Sequence, residues 1–178
     1  MKKTTMKSMF QVGVVVWDAK KALEEWKKYF NIDESTIIMK NTKDLADAGK
    51  YENPKYYGEE TELWINICRF DMGGLDFEII EPLDKEGSNM YSDFLKEHGP
   101  GIHHVNVLLE DRDGFSEAME ENGIPVMLDA SSQGKTCKFY DVREQLGLII
   151  ECGDIVVGPL AKVFNPEFLD EKQGLDLK

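Results

Sequence analysis

The stretch "HVNVLLED", residues 104–111, repeats the pattern of "QVGVVVWD", residues 11–18. Gln11 aligns with His104, Val12 with Val105, Val14 with Val107 and Asp18 with Asp111. In each copy an apolar alternation of strand period ends on an aspartate, a residue type that accepts hydrogen bonds from the first free amides of a helix. Helical spacing follows: Ala22, Leu23, Trp26 and Phe30 in the first copy, Phe115, Ala118 and Met119 in the second, with Gly123 placed to stop the helix. Further strand-like stretches come next. They are "TELWINICRF" (61–70) and "LDFEIIEPL" (75–83) around the turn "DMGG", then "IPVML" (124–128), "KTCKFYDV" (135–142) and "GLIIECG" (147–153). Each copy reads β-α-β-β-β, and a duplication explains the common order.

The repeat sets the expected organisation. A first βαβββ module spans 1–84 and contains a polar, Tyr-bearing insertion at 39–61, which reads as a surface loop or as a lid. Residues 85–100 form a linker with the short helix "YSDFLKEHG". A second βαβββ module spans 101–153, and a C-terminal tail, with a helix expected around 159–164, spans 154–178.

Bulk composition narrows the function classes. The 178 residues are 42% hydrophobic, as a packed globular chain requires. Lys and Arg number 21 against 34 Asp and Glu, a net charge of −13 that argues against nucleic acid and anionic membrane surfaces as partners. Cys68, Cys137 and Cys152 are odd in number and form no CxxC, so reduced thiols in a cytoplasmic protein are expected. No apolar run approaches the ~18 residues of a membrane span. The opening "MKKTTMKSMFQVGVVVWD" lacks a small-residue cleavage site, so no signal peptide is expected.

Strand alternation then sorts the polar residues. Phe10, Val12, Val14 and Val16 share one face of the first strand, leaving Gln11, Gly13 and Val15 on the other. On the same rule His104 and Asn106 share the Gln11 face, while His103 falls with the apolar set of Val105, Val107 and Leu109. Glu78 lies opposite Phe77 and Ile79, and Glu151 opposite Leu148 and Ile150. A glutamate between apolar neighbours is costly to bury alone. Gln11, Glu78, His104 and Glu151 therefore form one polar cluster, read either as an octahedral divalent-metal site or as a buried hydrogen-bond network.

At "FEIIEPLDKEGSNMYSDFLKEHGPGIHHVNVLLED" (77–111) the chain resembles the vicinal oxygen chelate superfamily of glyoxalases, bleomycin-resistance proteins and dioxygenases. Within it, the doubled histidine after Gly101-Ile102 is most similar to methylmalonyl-CoA epimerase. The resemblance spans residues 9–153. It implies an α+β fold in which two tandem βαβββ modules form an eight-stranded cup-shaped sheet around a metal site, commonly in a homodimer. It also implies that the second histidine, His104, is a metal ligand. The ligand positions read His, Gln, His and Glu in the epimerases. Here Gln11, Glu78, His104 and Glu151 look more like the set of zinc-type glyoxalase I. The glyoxalase arginine for glutathione is Val15 here and its asparagine is Pro82, and the usual "FLHPK" is "FYDVR".

Both enzyme types remove a proton α to a carbonyl while a metal stabilises the enolate oxygen. The resemblance thus implies a divalent metal ion (Co, Mn, Ni or Zn) and an acyl-CoA or oxo-acid substrate. If Leu63, Ile65 and Ile67 face the helices, Glu62, Trp64 and Asn66 line the cleft. Glu62 is then the candidate base, with Glu60 as fallback, and Glu151 is a second candidate as a labile ligand and base. Three further readings stay open: a glyoxalase I-type lactoylglutathione lyase, a non-catalytic small-molecule binding protein of the resistance type, and an extradiol dioxygenase, which Gln11 disfavours by removing a histidine.

Overall fold

The computed structural model describes residues 3–131, 134–154 and 158. Strand β1 (Met6–Val15) runs into helix α1 (Ala19–Tyr29), and Asp18 caps that helix by accepting a hydrogen bond from the Lys21 amide at 2.9 Å. The second copy repeats the device. Strand β7 (Gly101–Leu109) leads to helix α4 (Arg112–Glu121), and Asp111 accepts from the Gly114 amide at 2.8 Å. Gly123, at φ +69°, follows α4 in the left-handed conformation that ends a helix without steric cost.

The remaining elements of the first half are β2 (Ile38–Asn41), α2 (Thr42–Asp47), a hairpin of β3 (Lys55–Tyr56) and β4 (Glu59–Glu60), then β5 (Ile65–Met72) and β6 (Leu75–Pro82). Helix α3 (Met90–His98) leads to the second half, where β8 (Val126–Asp129), β9 (Cys137–Val142), the short α5 (Arg143–Leu146) and β10 (Leu148–Gly153) follow α4.

These strands do not make the expected eight-stranded cup. They form one mixed ten-stranded sheet in the order β2-β5-β6-β1-β7-β10-β9-β8-β3-β4, and its end strands β2 and β4 are not paired with each other. The two additional strands come from the 39–61 segment. Lys55 and Tyr56 pair with Asp129 and Leu128 of β8, and the Tyr57 amide donates to the Met127 carbonyl at 2.9 Å. Tyr57 (φ +48°) and Gly58 (φ +87°) both take the left-handed backbone that a two-residue hairpin turn requires. The physical reason for the extension is the edge of β8, whose backbone groups would otherwise be unpaired.

Apart from the β3–β4 hairpin, each half contributes four strands in the same sequence. The parallel pairs β1–β6 and β7–β10 flank the central antiparallel pair β1–β7. Two apolar clusters cover the outer face. One, with Leu23, Phe70, Phe77 and Ile79, lies under α1; the other, with Val107, Tyr140 and Ile150, lies with Phe115 and Met119 of α4. A third cluster lines the inner face, where Met90, Tyr91 and Leu95 of α3 pack on Val15, Ile65, Ile80, Leu128, Phe139 and Ile149. Helix α3 thus fills one end of the inner face, and the polar residues occupy the other. No helix among the described residues is long and apolar enough to cross a membrane. The helix expected at 159–164 lies outside the described residues.

Candidate functional site

The inner-face polar residues stand in two adjacent cross-strand rows. In one, Asp76 of β6 pairs with Gln11 of β1, Gln11 with Asn106 of β7, and Asn106 with Glu151 of β10. In the next, Arg69 of β5 pairs with Glu78, Glu78 with Gly13, and Gly13 with His104. The structure thereby brings together three of the four residues singled out from the sequence. His104 Nε2 lies 3.1 Å from Glu151 Oε2 and 3.6 Å from Glu78 Oε2. The His104 side chain has no exposed surface, and among the described residues its Nε2 has no hydrogen-bond partner. Burial pushes the Glu78 carboxyl up to about 7; the nearby Glu151 adds to the shift and His104 opposes it.

Gln11 sits beside this group with both ends of its amide engaged. Its Nε2 donates to Asp76 Oδ2 at 2.7 Å, and its Oε1 accepts from Asn106 Nδ2 at 3.2 Å. Asp76 is in turn held by Arg69, whose Nε and Nη2 donate to its two oxygens at 2.8 and 2.9 Å. This bidentate pair is buried, and its geometry is the strong form of carboxylate recognition.

His103 does not face away from His104. The β1–β7 register steps from Gly13↔His104 to Val14↔Ile102, so His103 is the additional residue of a bulge. A bulge breaks strand alternation and re-aims a side chain. Both histidines are buried, with their Nδ1 atoms 3.1 Å apart, and His103 packs between Tyr91 and Phe94 of α3 at ring distances of 4.9 and 5.1 Å. Burial, with His104 adding to it, holds His103 well below the ordinary imidazole range, so it is neutral. When His104 Nδ1–H donates to His103, His104 Nε2 carries a free lone pair towards the two carboxylates. That is the tautomer a metal ligand needs.

Glu62 is placed elsewhere. It is exposed and accepts a hydrogen bond from Trp64 Nε1 at 2.9 Å. On this strand Leu63 and Ile65 belong to the inner cluster, while Cys68 and Phe70 lie under α1, so Glu62, Trp64 and Asn66 do not face the cleft. Glu60 is exposed on β4.

Four contributors escaped the sequence reading. Cys137 of β9 directs its thiol to Glu151 Oε1 at 3.2 Å, on the far side of the carboxylate from His104; burial and the adjacent Glu151 push that thiol well up. Asp76 and Arg69 carried a legible signal, each being a charge between apolar strand neighbours, as Glu78 is. Gly13 is the fourth. A Cβ there would run into the His104 imidazole, so glycine provides the space for the ring.

Among the described residues no group of three or more His, Cys, Asp or Glu already has the geometry of a metal centre. The donor chemistry of His104, Glu78 and Glu151 fits a divalent cation nonetheless. An imidazole nitrogen and two carboxylates suit such ions, and His104 Nε2 is a buried atom that has no hydrogen bond among the described residues.

The sequence profile of the Glyoxalase/Bleomycin resistance protein/Dioxygenase superfamily matches residues 10–140. No match is found among curated proteins. Solved structures share the fold. A hypothetical protein of Bacillus halodurans is 17% identical, with 85% of this chain and 96% of that one covered and a TM-score of 0.58. Methylmalonyl-CoA epimerase from Mycobacterium tuberculosis is 15% identical, with 86% and 91% covered and a TM-score of 0.56. A Streptomyces coelicolor methylmalonyl-CoA epimerase variant in complex with 2-nitronate-propionyl-CoA is 12% identical, with 84% and 94% covered and a TM-score of 0.56. The profile match covers most of the chain, and the chain belongs to the Glyoxalase/Bleomycin resistance protein/Dioxygenase superfamily, also called the vicinal oxygen chelate superfamily.

Proposed function

We propose that this chain is a metal-dependent epimerase or isomerase that removes a proton α to a carbonyl, with an acyl-CoA of the methylmalonyl type as the first substrate to test. The observation that carries the proposal is the buried His104 Nε2, without a hydrogen bond among the described residues, set 3.1 and 3.6 Å from the Glu151 and Glu78 carboxylates. His104, Glu78 and Glu151 would hold the cation, which when bound supplies Lewis-acid stabilisation of the enolate oxygen.

The chain's own groups divide the remaining work. Glu151 takes the α-proton; its Oε1 is held by the Cys137 thiol at 3.2 Å, which leaves Oε2 turned towards His104. His103 orients the His104 ring through the Nδ1 contact. Helix α3 closes one end of the inner face with Met90, Tyr91 and Leu95, which keeps water from that side of the reacting carbon. Glu62, exposed and turned away, has no part in the proton transfer.

The test is incubation with methylmalonyl-CoA and Co²⁺ or Mn²⁺ in D₂O, followed by NMR. Deuterium entering at the α-carbon supports the proposal. Tight binding of the thioester with no exchange under any cation would replace it with a binding function, and conversion of methylglyoxal hemithioacetal instead would replace it with the glyoxalase reaction.

A further inference from the structure

The polar network beside the carboxylates has a fixed direction. Asp76, paired to Arg69 through both oxygens, can only accept, so the Gln11 atom 2.7 Å from it is the amide nitrogen. The other end of Gln11 is then its oxygen, and the Asn106 atom 3.2 Å from that oxygen is a nitrogen. The chain of donors therefore ends on Asn106 Oδ1. This oxygen is buried and has no hydrogen-bond partner among the described residues, and its residue is 5% exposed.

Asn106 stands two residues from His104 on β7, which puts both on the inner face, and it is the direct cross-strand neighbour of Glu151. Two buried atoms without hydrogen bonds among the described residues, His104 Nε2 and Asn106 Oδ1, thus share one strand face beside the same carboxylate. A buried amide oxygen left unpaired is costly, so such an atom marks a missing partner. A lone-pair nitrogen and a carbonyl oxygen side by side can share a cation as their common partner.

We propose that the amide donor of the cation site is Asn106 Oδ1 and not Gln11, whose role is to hold the Asn106 amide with its oxygen free. The inference rests on the cation-site reading of His104, Glu78 and Glu151. It makes the donor set one imidazole and three oxygens, which suits a harder ion such as Mn²⁺ better than a thiolate-type site does.

The experiment is Mn²⁺ titration of the purified chain, followed by loss of the free-ion electron paramagnetic resonance signal, with circular dichroism to verify folding. In the parent protein Mn²⁺ binds, and His104→Ala abolishes binding. Asn106→Leu weakens Mn²⁺ binding by at least about tenfold, whereas Gln11→Leu, which leaves the Asn106 oxygen in place, weakens it by less. If Asn106→Leu does not fold, Asn106→Ser takes its place with the same expectation. Unchanged binding in the Asn106 variant, or an equal or larger loss in Gln11→Leu, overturns the assignment to Asn106 and leaves the cation site standing. A parent that binds no Mn²⁺, Co²⁺ or Zn²⁺, or a His104→Ala variant that binds like the parent, overturns both.

Discussion

The His104 imidazole lies directly over the backbone of Gly13, its cross-strand partner on β1, in space that a β-carbon would occupy. The ring reaches towards Glu78 of β6 because it crosses a strand that presents no side chain at that point, while Glu151 stands on β10, the neighbour of β7 on the other side. Gly13→Ala should therefore push the ring out of place. Overpacking of this kind costs roughly 1–3 kcal/mol, readable as a lower urea midpoint, and Mn²⁺ affinity should fall with it. A variant with parental cation affinity would show that the ring does not need this seat.

His103 should matter through His104. Replacing it by Phe keeps a ring between Tyr91 and Phe94 but removes the Nδ1 partner 3.1 Å away. Loss of the group that orients a ligating histidine typically weakens metal binding ~10–100-fold. His103→Phe should do the same in a Co²⁺ or Mn²⁺ titration, with the chain still folded by circular dichroism. Unchanged affinity would restrict His103 to packing.

The Arg69–Asp76 pair anchors the polar end of the inner face. Arg69→Met leaves the Asp76 carboxylate buried with, among the described residues, the Gln11 amide as its remaining side-chain hydrogen bond, and breaking a buried pair from one side costs about 3–5 kcal/mol. The double variant Arg69→Met with Asp76→Leu should recover most of that loss, since no charge is then left unpaired. Urea unfolding of the two variants measures the difference. Equal destabilisation of both would mean that packing volume, and not the buried charge, sets the cost.

Much of this arrangement was legible in the sequence where one rule acted alone. The Gln11–Asp18 and His104–Asp111 stretches named two strands and the two aspartate caps, and Glu78 and Glu151 were recognisable as glutamates set against apolar strand neighbours. The misreadings have physical causes. His103 sits in a bulge, and alternation holds only while the ladder is regular. On β5 both faces are apolar, because α3 fills the inner side as α1 covers the outer one, so Leu63 and Ile65 could not say which way Glu62 points. The pairing of Lys55 and Tyr56 with β8 joins the first half of the chain to the second. Such a contact is set by an edge that needs covering, not by local residue preference. Gln11 was assigned to the right face, but only the hydrogen bonds to Asp76 and Asn106 reveal that its amide is already engaged.

The most direct test of the central claim is the rate of α-deuteration of methylmalonyl-CoA in D₂O with saturating Co²⁺, compared between the parent, Glu151→Gln and Glu62→Gln. Removal of a positioned base typically costs ~10²–10⁴-fold. The account predicts a loss of that size in Glu151→Gln and the parental rate in Glu62→Gln, whose side chain bonds Trp64 on the exposed side. A parental rate in Glu151→Gln, or a comparable collapse in Glu62→Gln, would contradict it.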